Sequence, residues 1–231
     1  MLKLNNLNFL YGEVAALRDV TMEVPEKEIV CVMGRNGVGK TTLMKNIVGV
    51  LDPADGQIEF LGESVEKNPA HARARKGMAY VPQGRMIFPR LTVEENLRVG
   101  LAARQDGSKK IPEYIFEFFP ILKEFMRRMG GDLSGGQQQQ LAIGRALATD
   151  PKLLILDEPT EGIQPNIVQL IGEVLRKLVK EHELTVLIVE QYLDFVRDYT
   201  DRFYVMNRGA IVEGGATTGL SDDIVKQYLH V

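Results

Sequence analysis

Two stretches of this chain carry residues able to handle phosphate. In GRNGVGKTT, residues 34–42, the spacing G-x-x-x-x-G-K-T is that of a phosphate-binding loop. Glycines let backbone N–H groups curl around phosphate oxygens with no Cβ in the way, and a helix starting directly afterwards turns its positive dipole end toward the same anion. Gly34, Arg35, Asn36, Gly37, Val38 and Gly39 would form the cradle. Lys40 would reach the β- and γ-phosphates, Thr41 would place its hydroxyl on Mg²⁺, and Thr42 would meet the α-phosphate end. The second stretch is LLILDE, where Asp157 ends an apolar run and Glu158 follows it. A carboxylate at the end of a buried strand can hold Mg²⁺ through water. Glu158, one step further toward the γ-phosphate, is placed as general base or water-orienting group for hydrolysis.

A third segment, GGDLSGGQQQQLAIGRAL (130–147), looks like the start of a helix able to hold an anion. Ser134 and Gln137 have the S-x-x-Q spacing of a capping box, and Gly135 and Gly136 leave the first turn uncovered. An ordinary capped helix explains these residues as well as an anion site does. The segment lacks a lysine and an Mg²⁺ carboxylate, so it could complete a nucleotide site but hardly make one.

The elements that must position these groups are legible. LKLNNLNF (2–9), DVTMEV (19–24) and QIEFLG (57–62) alternate apolar and polar residues, as half-buried antiparallel strands do. IVCVM (29–33), LLIL (153–156), TVLIV (185–189) and FYVM (203–206) are continuously apolar, which suits strands of a parallel sheet buried on both faces. TLMKNIVGVL sets Leu43, Met44, Ile47, Val48 and Leu51 on one helical face, and NIVQLIGEVLRKLVKE (166–181) predicts a helix with Pro165 at its first position. Residues from about 84 to 150 show helices and no strand, which predicts a helical subdomain inserted into an α/β core.

Composition narrows the function classes. With 45% hydrophobic and 26% charged residues the chain is an ordinary globular one, and its net charge of −3 supplies no basic field for nucleic acid. The single cysteine, Cys31, cannot form an internal disulfide; its place in IVCVM reads as a small buried hydrophobe, and a reducing compartment fits. No apolar stretch approaches the roughly 18 residues of a membrane span, and the N-terminus lacks a signal-peptide core.

GRNGVGKTT, LSGGQ and LLILDE, in that order, resemble the Walker A, signature and Walker B motifs of the ABC-type ATPases, and the resemblance covers essentially the whole chain. It implies one nucleotide-binding domain over residues 1–231: a P-loop NTPase (RecA-like) α/β core with an N-terminal antiparallel β subdomain and the helical insertion. It implies ATP and Mg²⁺, and a head-to-tail pair in which each ATP lies between one chain's Walker A loop and the other's Ser134, Gly135, Gly136 and Gln137. By the same resemblance Tyr11 stacks on adenine, Gln83 touches Mg²⁺ or the attacking water, and TEGIQP (160–165) crosses the dimer interface. Met86, Ile87, Phe88 and Leu91 form either an apolar groove for a partner's short helix or subdomain core.

One position departs from the pattern. Where most such ATPases carry a histidine, this chain has Gln191; His71, His182 and His230 fall elsewhere. Gln191 can hydrogen-bond a γ-phosphate but cannot titrate. That glutamine resembles one of the two ATPases of branched-chain amino acid importers, and DEPTEGIQP with VEQYLDF most resembles the branch serving urea and short-chain amides. The expectation is an ATP-hydrolysing subunit, peripheral on the cytoplasmic face of the inner or plasma membrane. It would pair with a second ATPase subunit or a second copy, two permeases and, indirectly, a substrate-binding protein. Branched-chain amino acids are the alternative cargo. A soluble ABC ATPase acting on nucleic acid or ribosomes would carry a coiled-coil insertion or two such domains, and a P-loop kinase leaves LSGGQ unexplained.

Overall fold

The computed structural model describes residues 1–229; His230 lies outside the described residues. The chain opens with a hairpin of β1 (Leu2–Tyr11) and β2 (Val14–Val24), paired from Leu2 opposite Val24 to Tyr11 opposite Val14. β3 (Ile29–Met33) leads through the glycine-rich loop into α1 (Lys40–Ile47). There follow β4 (Asp55–Phe60), β5 (Glu63–Ser64), α2 (Ala70–Arg75) and β6 (Met78–Val81). The next stretch holds α3 (Val93–Leu101), α4 (Tyr114–Phe118), α5 (Pro120–Glu124) and α6 (Gly135–Leu147). The chain then alternates through β7 (Leu153–Asp157), α7 (Pro165–His182), β8 (Thr185–Val189), α8 (Leu193–Tyr199) and β9 (Arg202–Asn207), and finishes with β10 (Ala210–Ala216) and α9 (Asp222–Tyr228).

Two sheets result. One is antiparallel, in the order β2-β1-β4-β5; the other runs β10-β9-β3-β8-β7-β6 and is parallel except for its β10 edge. The parallel strands separate two apolar cores, because alternate residues of a strand face opposite ways. Ile29, Cys31 and Met33 of β3 join the core shared with α6, α7 and the inserted helices; Val30 and Val32 join the core of α1 and the antiparallel sheet. Both faces are buried, which is why these strands read as unbroken apolar runs.

Sequence and structure differ at several places, beginning with the strand expected over 19–24, which starts five residues earlier at Val14. The strand expected over 57–62 stops at Phe60, because Leu61 (φ 55°) and Gly62 (φ 78°) make the left-handed turn into β5. α1 stops at Ile47 because Gly49 takes a left-handed φ of 76°, so Leu51 packs from outside the helix. The buried Arg73 finishes that end: its guanidinium donates to the carbonyls of Ile47 (2.8 Å) and Asn46 (2.6 Å), the latter also accepting from the Gly49 N–H. β6 and β10 were not singled out in the sequence at all.

Candidate functional site

The loop from Gly34 to Gly39 leaves the C-terminal end of β3 and crosses to the start of α1. Its glycines answer to close contacts. A Cβ on Gly34 would lie 2.4 Å from the Met206 carbonyl, and one on Gly39 2.8 Å from that of Ala16. Gly39, at φ 113°, is the N-cap of α1 and offers no side chain to it, so no side chain caps the helix's first N–H groups. A cleft of about 700 Å³ opens there, lined by Tyr11, Val14, Asn36 through Thr42, Gln83, Glu158 and Glu161 among others. A somewhat larger hollow of about 810 Å³ lies near Asn6, Asp52 and Gly56 and contains neither the loop nor its carboxylates.

Within the cleft the side chains form one network. Lys40 is only 5% exposed; its ammonium donates to the carbonyls of Gly34 (2.8 Å) and Arg35 (3.0 Å) and lies 3.5 Å from Glu158 Oε1. Glu158 follows β7 in a left-handed conformation, φ 49°, which costs a non-glycine residue about 1–3 kcal/mol and is held by its N–H on the Val189 carbonyl. The Gln191 amide donates to Glu158 Oε1 (2.7 Å) and to Asn36 Oδ1 (2.8 Å). Gln83 donates to Glu158 Oε2 (3.3 Å) and to Glu161 Oε2 (3.0 Å). A carboxylate only accepts, so both glutamines must turn their NH₂ ends to Glu158. Tyr11 stands at the end of the β1–β2 hairpin, half exposed, its hydroxyl 3.5 Å from Thr42 Oγ1 and its ring edge-on to Phe9.

Asp157 lies beneath, 1% exposed. Its Oδ2 accepts from the Tyr80 hydroxyl (3.2 Å), while the buried Oδ1 has no hydrogen-bond partner among the described residues. Burial holds its carboxyl above the ordinary aspartate range, with the Thr41 and Tyr80 hydroxyls pulling the other way. An orphaned, buried carboxylate oxygen beside a threonine hydroxyl fits a hard divalent cation that takes its remaining ligands from phosphate and water.

The Ser134–Gln137 turn lies elsewhere. It begins α6 and lines a separate cleft of about 580 Å³ together with Ile121, Ile163, Gln164, Ile167 and Leu170. The capping box is present: Ser134 Oγ accepts from the Gln137 N–H at 3.4 Å, and Gln137 Oε1 accepts from the Ser134 N–H at 3.0 Å. The structure therefore gathers Tyr11, Asn36–Thr42, Gln83 and Glu158 around one cleft, with Gln191, Asp157 and the Gly34 and Arg35 carbonyls supporting it. It keeps Ser134, Gly135, Gly136 and Gln137 of the same chain apart from it. The apolar loop divides: Ile87 packs on the core, whereas Met86 and Phe88 are exposed, the latter under the Arg145 guanidinium.

Tyr80 under Asp157 lies outside the sequence expectations, Glu161 beside Gln83 enters them only as part of the 160–165 loop, and Glu190, a buried carboxylate behind Gln191, is signalled only as a charged residue ending an apolar strand.

The profile of the family described as "ABC transporter" matches residues 17–161. The chain is 43% identical over 213 residues to the high-affinity branched-chain amino acid transport ATP-binding protein BraG of Pseudomonas aeruginosa, covering 92% of this chain and 91% of that one. A probable branched-chain amino acid transport ATP-binding protein, LivF of Archaeoglobus fulgidus, is 36% identical, over 95% of this chain and 94% of its own. An ATP-binding cassette solved as a dimer in a post-hydrolysis state with ADP and Pi superimposes with a TM-score of 0.85 at 26% identity, over 95% of this chain and all of that one. Another, in its ADP conformation, gives 0.84 at 31% identity over 98% and 97%. Loop, carboxylates, fold and relatives agree, and the chain belongs to the ATP-hydrolysing ABC transporter family of ATP-binding proteins.

Proposed function

We propose that this chain is the ATP-hydrolysing subunit of an importer for branched-chain amino acids, and that it drives two permease partners from the cytoplasmic face of the membrane. The observation carrying the catalytic half is the convergence of Lys40, Gln83 and Gln191 on Glu158 in the phosphate-loop cleft. Bound ATP would take over the Lys40 ammonium and the open N–H groups of α1, with adenine against Tyr11. Glu158 would then be released to accept a proton from water as the water oxygen attacks the γ-phosphorus and the bond to the β–γ bridging oxygen breaks. Gln83 and Gln191 would orient the water and the γ-phosphate. Asp157 and Thr41, with Gln83 nearby, would hold Mg²⁺, which when bound neutralises charge on the β- and γ-phosphates.

The cargo half rests on the relatives. The urea and short-chain amide branch expected from sequence gains no support from them, whereas BraG and the Archaeoglobus protein are both named for branched-chain amino acids. The ATPase does not touch the cargo, so its residues carry no direct record of it. Among the described residues no helix is long and apolar enough to cross a membrane, which fits a peripheral subunit; Met86 and Phe88 offer the apolar contact for a permease helix.

The self-capped Ser134–Gln137 turn, set in its own cleft, is read as serving a neighbour's nucleotide. Lys40→Ala and Ser134→Arg then damage different chains' contributions to one site. Each variant alone is inactive, and a mixed dimer regains one intact site, so hydrolysis returns on mixing. Mixed dimers, verified by crosslinking, that neither hydrolyse nor retain ATP overturn the shared site.

A further inference from the structure

We propose that Glu190 is a positioning residue for hydrolysis: its buried carboxylate ties the loop that follows Glu158 to the loop that carries Gln191. The inference deepens the reading above and rests on its role for Gln191.

Glu190 is 3% exposed at the end of β8. Its Oε1 accepts from the Thr160 N–H (3.1 Å) and the Thr160 hydroxyl (2.6 Å). Its Oε2 accepts from the N–H groups of Gln191 (2.9 Å) and Tyr192 (3.1 Å). Four donors thus converge on one carboxylate from two loops thirty residues apart in sequence, and burial lifts its pKa while these donors oppose the rise. Among the described residues no lysine, arginine or histidine contributes to that balance.

An unpaired buried carboxylate is a costly way to stitch two loops. Only an acceptor-only group, however, can receive four donors from opposite sides. A glutamine in its place would point its NH₂ at a backbone N–H, whichever way it turned. Both loops also border the reacting carboxylate. Thr160 comes two residues after Glu158, and Gln191 projects from the tethered backbone to Glu158 Oε1 and Asn36 Oδ1. Glu190 fixes the base from which Gln191 reaches, and with it the relation of Gln191 to Glu158. A small misplacement there costs rate rather than affinity, since ATP is held chiefly by the phosphate loop.

The test is a double-mutant cycle on the full chain: Glu190→Gln, Gln191→Ala and both together, read as ATP turnover, with affinity from equilibrium binding of a fluorescent ATP analogue with Mg²⁺. Glu190→Gln is expected to lower kcat about tenfold and to leave affinity within about twofold. The double variant is expected to be no slower than the slower single one, because both act through one arrangement. Glu190→Asp keeps the charge but falls one methylene short of spanning both loops, and it takes the same place in the cycle if the glutamine variant does not fold. Wild-type turnover in the Glu190 variant, or losses that multiply in full, overturn the proposal. Wild-type turnover in Gln191→Ala instead removes Gln191 from the site and overturns the reading on which the proposal rests.

Discussion

The N-termini of α1 and α6 are both glycine-rich and both suited to an anion, yet they are finished differently. α1 begins at Gly39 with no side-chain cap, and its lysine is parked on two carbonyls and Glu158. α6 begins with a complete capping box and nothing charged in the box itself. The first end has no side-chain cap of its own, whereas the second satisfies itself. On the shared-site proposal the difference has a reason: a turn that must keep its shape until a neighbour's nucleotide reaches it needs internal support, and a turn that wraps its own phosphate can take that support from the phosphate.

Substitutions at four positions sharpen or break that contrast. Glu158→Gln removes the proposed base while leaving the open end of α1 intact; turnover should fall by about 10²–10⁴ with Mg-ATP still bound, as single-turnover and binding measurements would show. Turnover at the wild-type rate would take Glu158 out of the mechanism. Gln191→Ala should cost about tenfold in kcat at saturating ATP, and Gln191→His clearly less, because histidine restores a hydrogen-bond donor.

Asp157→Asn acts on stability. Because burial raises the Asp157 pKa, the native chain holds that proton more firmly than the unfolded chain does. Its favourable contribution is full below the ordinary aspartate range and is lost as pH rises through the raised native value. At neutral pH the asparagine variant should therefore unfold later by about 1 kcal/mol without ligand, and gain little from Mg-ATP; denaturant melts with and without nucleotide test both. Ser134→Ala should cost about 1 kcal/mol through the lost cap of α6, while the substitution leaves the phosphate loop of the same chain untouched.

How much could be read beforehand followed from how local each signal was. β3, β7 and β8 are short apolar runs buried on both faces, and their limits were legible almost to the residue. The glycine loop, the signature turn and Asp157–Glu158 are contiguous motifs whose chemistry follows from spacing. β10 was not legible, because its two glycines and mostly exposed positions give no alternation. α4 and α5 blur because Pro120 starts a second short helix inside one apolar stretch. Pairings across the chain were out of reach: Gln191 meets Asn36 over a separation of 155 residues, and Tyr80 meets Asp157 over 77. Glu190 stayed hidden for the same reason, since a lone glutamate at a strand end does not say which loop will fold back on it.

The buried Arg73 at the far end of α1 bears on how far the phosphate loop's pull extends. A helix is a pair of opposite partial charges, and at a distance each weakens the other. The guanidinium covers the Asn46 and Ile47 carbonyls, but Asp52 and Glu66 close by return more negative charge than it brings. The far end therefore stays negative, and α1 attracts a polyphosphate at close range, where its first N–H groups are the nearest charge.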